Sequence, residues 1–287
     1  MSFRHILFPV DFSPRAYNAV PFVKAFAARY HAAVTLVHVV EPAPAFVAAD
    51  GAYLVESALP DLKPEAENKL AAFAMEQFPG MSVTRMVEEG DPGTCISALA
   101  HSWNADLIMM PTHGRGAFSR ALLGSVTAKA LHDCDCAIWT GVHLGDAPPP
   151  IHTDLKTILC AIELMPESAS LLKYAKEIGL EAGAAVHIVH AVPTTDARLE
   201  NTFDQPLELF LKDFARDEIA KLQMEAGTNF DTFVELGSVA NVVHQAAAHF
   251  SADLIVIGRG VINRFAGGLR TEAYGIVRES PCPVLSI

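Results

Sequence analysis

Residues 5–16 read HILFPVDFSPRA, and this stretch decides the fold because residues 157–168, TILCAIELMPES, repeat its pattern. In each stretch a short apolar run leads to an acidic residue and then to a proline-containing turn. The acids are Asp11 and Glu163, which are 152 positions apart because 163 − 11 = 152. A short apolar run that ends in helix-start residues is typical of a buried strand followed by a helix.

Three more pairs of segments repeat in the same order, which indicates a duplicated and fused chain. VTLVHVVEP matches VHIVHAVPT, so that His38 and His190 are again 152 apart (190 − 38 = 152). ADLIMMPTHGRG matches ADLIVIGRG, and DCDCAIWT matches SPCPVLSI. We predict two domains, residues 1–145 and 154–287, joined by a short stiff linker around Pro148–Pro150.

Each copy alternates short apolar runs with segments of helical period, which predicts an α/β fold of two Rossmann-like domains. Each domain is expected to be a five-stranded parallel sheet with helices on both faces. The strands predicted for the first copy are 4–10, 33–40, 83–88, 106–111 and 137–142. Ser13-Pro14 and Asp91-Pro92 are predicted helix starts.

Two helical stripes and one irregular segment complete this prediction. The stripes Phe22-Phe26 and Leu207-Phe210-Phe214 are interpreted as core faces because of their spacing. Residues 41–61 are rich in proline and alanine and lack a clear period, so we expect a long surface loop that acts as a lid.

The formal net charge of −12 argues against a protein that binds nucleic acid or anionic membranes, which needs an excess of basic residues. No run approaches eighteen apolar residues, so no membrane span is expected. The first residues are interpreted as a strand rather than a signal peptide. The five cysteines are an odd number, and Cys95, Cys160 and Cys282 are isolated, which favours the reducing cytoplasm.

The strongest functional signal is PTHGRGAFSRALLGS, residues 111–125, after the fourth predicted strand. Glycines let the backbone approach phosphate oxygens, and Ser125 opens a helix whose first N–H groups can bind an anion. Arg115 or Arg120 can add a cation. A Walker A loop is excluded because no Gly-Lys-Ser or Gly-Lys-Thr occurs, and a dinucleotide fingerprint would follow the first strand instead.

These residues resemble the universal stress protein family in its tandem two-domain form. Its nucleotide-binding members carry Gly, two residues, Gly, nine residues and Gly-Ser or Gly-Thr, and Gly114 and Gly124-Ser125 match that pattern. Pro111 replaces the first glycine, and because proline lacks an N–H, affinity falls if that position serves the nucleotide. The resemblance implies strand order 3-2-1-4-5 and an adenine nucleotide as ligand: ATP, or ADP or AMP, with Mg²⁺ as an accompanying ion.

By resemblance, Asp11 contacts the ribose or the adenine edge, Val10 and Val39 frame the base, and the glycines and the helix start hold the phosphates. The nucleotide-binding residues are then Pro9, Val10, Asp11, Val39, Pro111, His113, Gly114, Arg115, Gly116, Gly124, Ser125, Val126 and Thr127.

The second copy is expected to bind weakly or not at all. Arg270 and Thr271 take the places of Gly124 and Ser125, since 270 − 124 and 271 − 125 are both 146. The residues of this second, degenerate site are Ile162, Glu163, Ala191, Gly258, Arg259, Gly260, Arg270 and Thr271.

Less specific features have simpler interpretations. His38 and His190 lie in apolar strands and are interpreted as hydrogen-bonded core histidines rather than site residues. A carboxylate at Asp11 is expected to cap the turn or bind ribose, rather than accept a phosphoryl group. The run 132–136, His-Asp-Cys-Asp-Cys, is interpreted as the entry to a strand, and no metal site is expected because a second ligand pair is lacking.

The leading functional hypothesis is a stress-response protein in which a bound nucleotide sets a conformation that a downstream protein partner reads. No catalytic residue is assigned, because the loop lacks an obvious general base. Slow ATP hydrolysis and a nucleotide-free interaction scaffold are the alternatives. The terminal strands of the two copies are expected to pair into an intramolecular pseudo-dimer, and two chains to associate as a homodimer.

Overall fold

A computed structural model of the chain describes residues 3–41, 62–112, 123–142, 153–193, 205–259 and 269–287, with the backbone alone for residues 205, 206 and 269–271. The elements of the first half are β1 (His5–Pro9), α1 (Pro14–Tyr30), β2 (Ala33–Val40), α2 (Lys63–Gln77), β3 (Val83–Glu89), α3 (Pro92–Ser102), β4 (Leu107–Met110), α4 (Ser125–Asp133) and β5 (Ala137–Thr140). Those of the second half are β6 (Thr157–Ala161), α5 (Ser168–Ala182), β7 (Ala185–Val192), α6 (Gln205–Ala226), β8 (Asp231–Leu236), α7 (Val239–Phe250), β9 (Leu254–Ile257), α8 (Leu269–Glu279) and β10 (Val284–Ser286).

The described strands form one ten-stranded sheet in the order β3-β2-β1-β4-β5-β10-β9-β6-β7-β8. Pairing within each half is parallel, as between β1 and β2 or β6 and β7. The halves join through β5 and β10, which pair antiparallel with Trp139 opposite Leu285. Both the predicted order 3-2-1-4-5 and the predicted pairing of the terminal strands are confirmed.

The two halves keep the same strand order, but the offset between matching residues changes twice along the chain. Strands β1 and β6 stay 152 apart (157 − 5 = 152), whereas β4 and β9 end 147 apart (257 − 110 = 147). In the paired terminal strands, Thr140 corresponds to Ser286 at 146 (286 − 140 = 146). An ungapped match of DCDCAIWT to SPCPVLSI makes Thr140 correspond to Ile287. The strand pairing makes it correspond to Ser286, so the ungapped match is wrong by one residue.

The helices cover both faces of the sheet, as the continuous apolar strands predict. One buried cluster packs α1, α2, α5 and α6 on one face, and the other packs α3, α4, α7 and α8 on the opposite face. Phe22 and Phe26 are buried in the first cluster, where the Phe22 ring lies 5.1 Å from that of Trp139. The prediction of a core face for Phe22-Phe26 is therefore confirmed.

The second predicted stripe is wrong. Leu207, Phe210 and Phe214 are 44%, 64% and 54% exposed. Helix α6 turns Ala215 and Ile219 towards the sheet instead, and both are buried. The stripe lies about 100° around the helix from that face, since successive helical residues differ by this angle.

Both predicted helix starts are confirmed. The Ser13 side chain accepts a hydrogen bond from the Ala16 N–H, and the Asp91 carboxylate accepts one from the Thr94 N–H. A proline follows each cap, as its missing N–H and fixed φ favour.

The repeated ADLI segment has a structural reason. Asp106 Oδ2 accepts hydrogen bonds from the N–H groups of Arg4 and His5, at 2.7 and 2.9 Å. Asp253 Oδ2 does the same for Lys156 and Thr157, at 2.8 and 2.9 Å. Each aspartate thereby fixes the start of the first strand of its half.

Among the helices that the structure describes, none is both long and apolar enough to cross a lipid bilayer.

Candidate functional site

The candidate site lies where the chain leaves adjacent strands towards opposite faces. Strands β1 and β4 are parallel neighbours, with Ile6 opposite Leu107. Helix α1 follows β1 on one face of the sheet, and α4 follows β4 on the other. In open α/β sheets, ligands settle in the crevice that such a divergence creates at the carboxyl ends of the strands.

The turn after β1 fixes the Asp11 carboxylate. Its Oδ1 accepts a hydrogen bond from the Ser13 N–H at 2.9 Å, and Phe12 between them has a φ of +59°. Val10 is buried, and its N–H donates to the Val37 carbonyl at 2.7 Å. The expected capping of the turn by Asp11 is thus present, and it holds the acid beside the crevice.

The matched histidines support the turns at the ends of the first strands. His38 Nδ1 donates to the Val10 carbonyl at 2.6 Å, and His190 Nδ1 donates to the Ile162 carbonyl at 2.9 Å. Burial lowers the pKa of His190, which keeps the ring neutral. Their prediction as hydrogen-bonded histidines is confirmed, although His38 is only half-buried.

The connection from β4 to α4 is held by two hydrogen bonds. The Gly124 N–H donates to the Thr112 carbonyl at 2.9 Å, and Thr127 Oγ1 donates to the Pro111 carbonyl at 3.0 Å. Thr127 is buried and its hydroxyl is engaged by the Pro111 carbonyl, so its side chain has a structural role. Gly124 is the N-cap of α4 and supplies no side-chain cap, while Ser125 is exposed.

An uncapped helix start presents N–H groups that an anion can accept. In α4 these belong to Ser125, Val126 and Thr127. Close by in the chain, the Thr112 hydroxyl is fully buried and lacks a hydrogen-bond partner among the described residues. Sequence reasoning passed over Thr112, although a polar residue directly after an apolar strand was a usable signal.

The structure brings Pro9, Val10, Asp11 and Val39 to the same sheet edge as Pro111 and the start of α4. The predicted residues His113, Gly114, Arg115 and Gly116 lie outside the described residues, as does the predicted lid from residue 42 onwards.

The second half differs from the first at several of the corresponding positions. Glu163 is exposed, and its backbone carbonyl accepts a hydrogen bond from Ser168 Oγ. Helix α8 begins at Leu269, so Arg270 and Thr271 already lie inside it, whereas Gly124 precedes α4. Gly258 takes the place of Pro111 (258 − 111 = 147), Ile162 and Ala191 are buried, and Gly260 lies outside the described residues.

The Arg259 side chain is bonded to the first half, so it is not available to bind a phosphate in its own half. Its guanidinium donates hydrogen bonds to the carbonyls of Cys134, Asp135 and Cys136 in the first half. Burial lowers the pKa of this guanidinium, but an arginine so placed remains a cation.

The run at residues 132–136 ends α4 and leads into β5, as predicted. All five cysteines are described and are free thiols. Burial raises the pKa of the Cys136 thiol to about 12. Within the described ranges, three or more His, Cys, Asp or Glu side chains do not come together in any metal-binding group.

Comparisons of the sequence with a family model and with individual proteins indicate the same family. The model of the universal stress protein family matches residues 2–140 and again residues 154–287. A universal stress protein of Thermus aquaticus is 32% identical over 136 residues, which cover 47% of this chain and 96% of that protein. Another from Methanocaldococcus jannaschii is 30% identical over 139 residues, 47% of this chain and 80% of that protein.

Solved structures show the same fold over the whole chain. The crystal structure of a universal stress protein from Archaeoglobus fulgidus has a TM-score of 0.66 at 19% identity, covering 99% of this chain and 97% of that chain. A universal stress protein solved in complex with cAMP is 16% identical and covers 50% of this chain and 100% of its own, with a TM-score of 0.37. This chain belongs to the universal stress protein family, and it carries two domains of that family in tandem.

Proposed function

We propose that the first half binds an adenine nucleotide at the carboxyl edge of β1, β2 and β4, and that the protein acts in a nucleotide-dependent stress response. The observation that carries this proposal is the convergence of three features at one edge. They are the fixed Asp11 carboxylate after β1, the buried Thr112 hydroxyl after β4, and the uncapped start of α4.

Each feature suits a different part of the nucleotide: the base, the ribose or the phosphates. Val10 and Val39 at the strand ends supply apolar surface for a base, and the Asp11 carboxylate can accept hydrogen bonds from ribose hydroxyls. The N–H groups of Ser125, Val126 and Thr127 can bind phosphate oxygens, supported by the positive end of the helix dipole. The motif assigns Gly114, Arg115 and Gly116 to the same phosphates.

This arrangement favours binding over catalysis. The described residues hold no grouped acids for a metal ion, so Mg²⁺ would have to be held mainly by the nucleotide itself. Asp11 is engaged in its turn rather than placed as a general base. A bound nucleotide would then act by stabilising one conformation, which a protein partner can distinguish.

The two halves are unequal in this proposal. In the second half the acid is exposed, the helix begins earlier, and Arg259 binds carbonyls of the first half. The second half therefore lacks the fixed acid of the first half, and Arg270 and Thr271 lie within α8 rather than at its start. We therefore assign the nucleotide to the first half.

The test places a carboxylate where the phosphate is expected. Ser125 is exposed at a helix start, where an acidic side chain interacts favourably with the helix dipole. The carboxylate of Ser125→Glu should therefore be tolerated by the fold but repel a bound phosphate. Thr271→Glu is the matched control in the second half, since 271 − 125 = 146. Isothermal titration calorimetry with ATP, ADP and AMP measures binding, and phosphate release in the same samples measures hydrolysis.

We expect Ser125→Glu to weaken nucleotide binding by about tenfold or more and Thr271→Glu to leave it unchanged. If the unaltered protein binds none of the three nucleotides, the proposal fails and a nucleotide-free scaffold replaces it. If Thr271→Glu causes the loss instead, the site belongs to the second half.

A further inference from the structure

Two side chains of the second half, Arg259 and Tyr274, donate hydrogen bonds across the centre of the sheet to α4 and the segment that follows it. Arg259, two residues after β9, donates to the carbonyls of Cys134, Asp135 and Cys136, which connect the end of α4 to β5. Tyr274 in α8 donates from its hydroxyl to the Ala128 carbonyl within α4, at 3.1 Å.

The duplication places residues at the corresponding positions of the first half that cannot return these contacts. Thr112 corresponds to Arg259 (259 − 112 = 147), and its short side chain is fully buried at its own strand end. Ala128 corresponds to Tyr274 (274 − 128 = 146), and its side chain has no hydrogen-bond donor. At the equivalent end of α8 the hydrogen bond comes from the same half, because His244 Nδ1 donates to the Glu279 carbonyl at 2.8 Å.

A cation suits the end of α4 for electrostatic reasons. The carboxyl end of a helix carries partial negative charge, and Asp133 and Asp135 add two carboxylates around it. The planar guanidinium presents several N–H donors in a fixed fork, and its two terminal nitrogens together serve the three carbonyls. Arg259 therefore stabilises a helix of only nine residues at the end opposite its anion-binding start.

We propose that Arg259 and Tyr274 form a brace by which the second half orders α4 of the first half, so that the second half serves as a support for the binding site rather than as a second site. The effect on nucleotide binding rests on the function proposed above, whereas the ordering of α4 does not.

The test separates these two claims. Arg259→Met keeps the apolar stem and removes every donor, and Tyr274→Phe removes only the hydroxyl. His244→Phe is the matched control, because it opens the end of α8 by the same kind of loss without touching α4. Amide hydrogen exchange of the full chain without nucleotide reports on α4 through the N–H groups of Ala128 and Cys134, which are bonded to Gly124 and Ala130.

We expect Arg259→Met to speed exchange in α4 by about tenfold and Tyr274→Phe by a few-fold, with α8 unaffected. His244→Phe should speed exchange in α8 and leave α4 unchanged. Unchanged α4 exchange in both brace variants, or an equal change in the control, would overturn the brace. If Arg259→Met does not fold, Tyr274→Phe alone decides by the same criterion.

Calorimetry with ATP completes the test. Arg259→Met should weaken binding several-fold while His244→Phe does not. If the unaltered protein binds no nucleotide, the proposed function fails but the exchange measurements still decide whether the brace exists. Faster α4 exchange with unaltered affinity would show a brace that does not support the site, which contradicts the proposal as stated.

Discussion

At the scale of single residues, the two halves differ at positions that the duplication aligns. Asp11 is bonded into its turn, whereas Glu163 at the matching position is exposed. In the second half the Ser168 hydroxyl donates to the backbone carbonyl of Glu163. Sequence alone shows the substitution, but which acid is held in place depends on the turn geometry that the structure adds.

The pair of acids gives a direct prediction. Asp11→Asn keeps an oxygen that can accept the Ser13 N–H bond, so the fold should be retained, but it removes the charge that strengthens a bond to a ribose hydroxyl. We expect nucleotide affinity to fall by about tenfold. Glu163→Gln should leave affinity unchanged in the same calorimetric titration, and equal losses in both variants would refute the assignment to Asp11.

Asp91 gives a prediction on pH. Hydrogen bonds from Thr94, then from Lys129, lower the pKa of this carboxyl from 3.8 to about 2. Because the folded-state pKa is depressed, the bonds stabilise the protein above about pH 3.8, and this contribution is lost as the pH falls towards about 2. Asp91→Ala should cost about 1 kcal/mol of unfolding free energy at neutral pH through loss of the cap.

Urea denaturation at a series of pH values checks this, and the difference from the unaltered protein should shrink as the pH falls. Ser238→Ala is the matched control (238 − 91 = 147), because Ser238 caps α7 without a side-chain hydrogen bond. A larger loss in Ser238→Ala than in Asp91→Ala would contradict the role given to the Asp91 bonds.

At the scale of elements, the strands could be predicted from sequence and one helix face could not. Runs such as LIMM at β4 are apolar at successive positions, and a strand covered on both faces is what such a run requires. Helical spacing identifies a stripe on α6 but does not say whether anything packs against it. The stripe with Phe210 is exposed because Ala215 and Ile219 occupy the face towards the sheet.

This difference predicts opposite effects for two phenylalanines. Phe22→Ala should lower the free energy of unfolding by about 3–5 kcal/mol, because the ring is buried against Trp139. Phe210→Ala should change it by less than about 0.5 kcal/mol, because the ring is mostly exposed. Chemical denaturation of both variants measures this, and a large loss in Phe210→Ala would show that the stripe is covered.

At the scale of the whole molecule, the pairing of β5 with β10 turns two domains into one sheet. This pairing could be predicted because the last apolar run of each copy, at the edge of its own half, needs a partner. The contacts that cross the join could not, because Arg259 lies in a GRG segment that sequence reasoning assigned to phosphate. Only the antiparallel register shows that this arginine faces the end of α4.

The central claim is that one half binds and the other supports. The most direct measurement is the number of adenine nucleotides bound per chain at saturation, by calorimetry and by mass spectrometry of the intact native complex. The account predicts one nucleotide per chain, lost in Ser125→Glu and retained in Thr271→Glu. Two nucleotides per chain, or one that persists in Ser125→Glu, would contradict it.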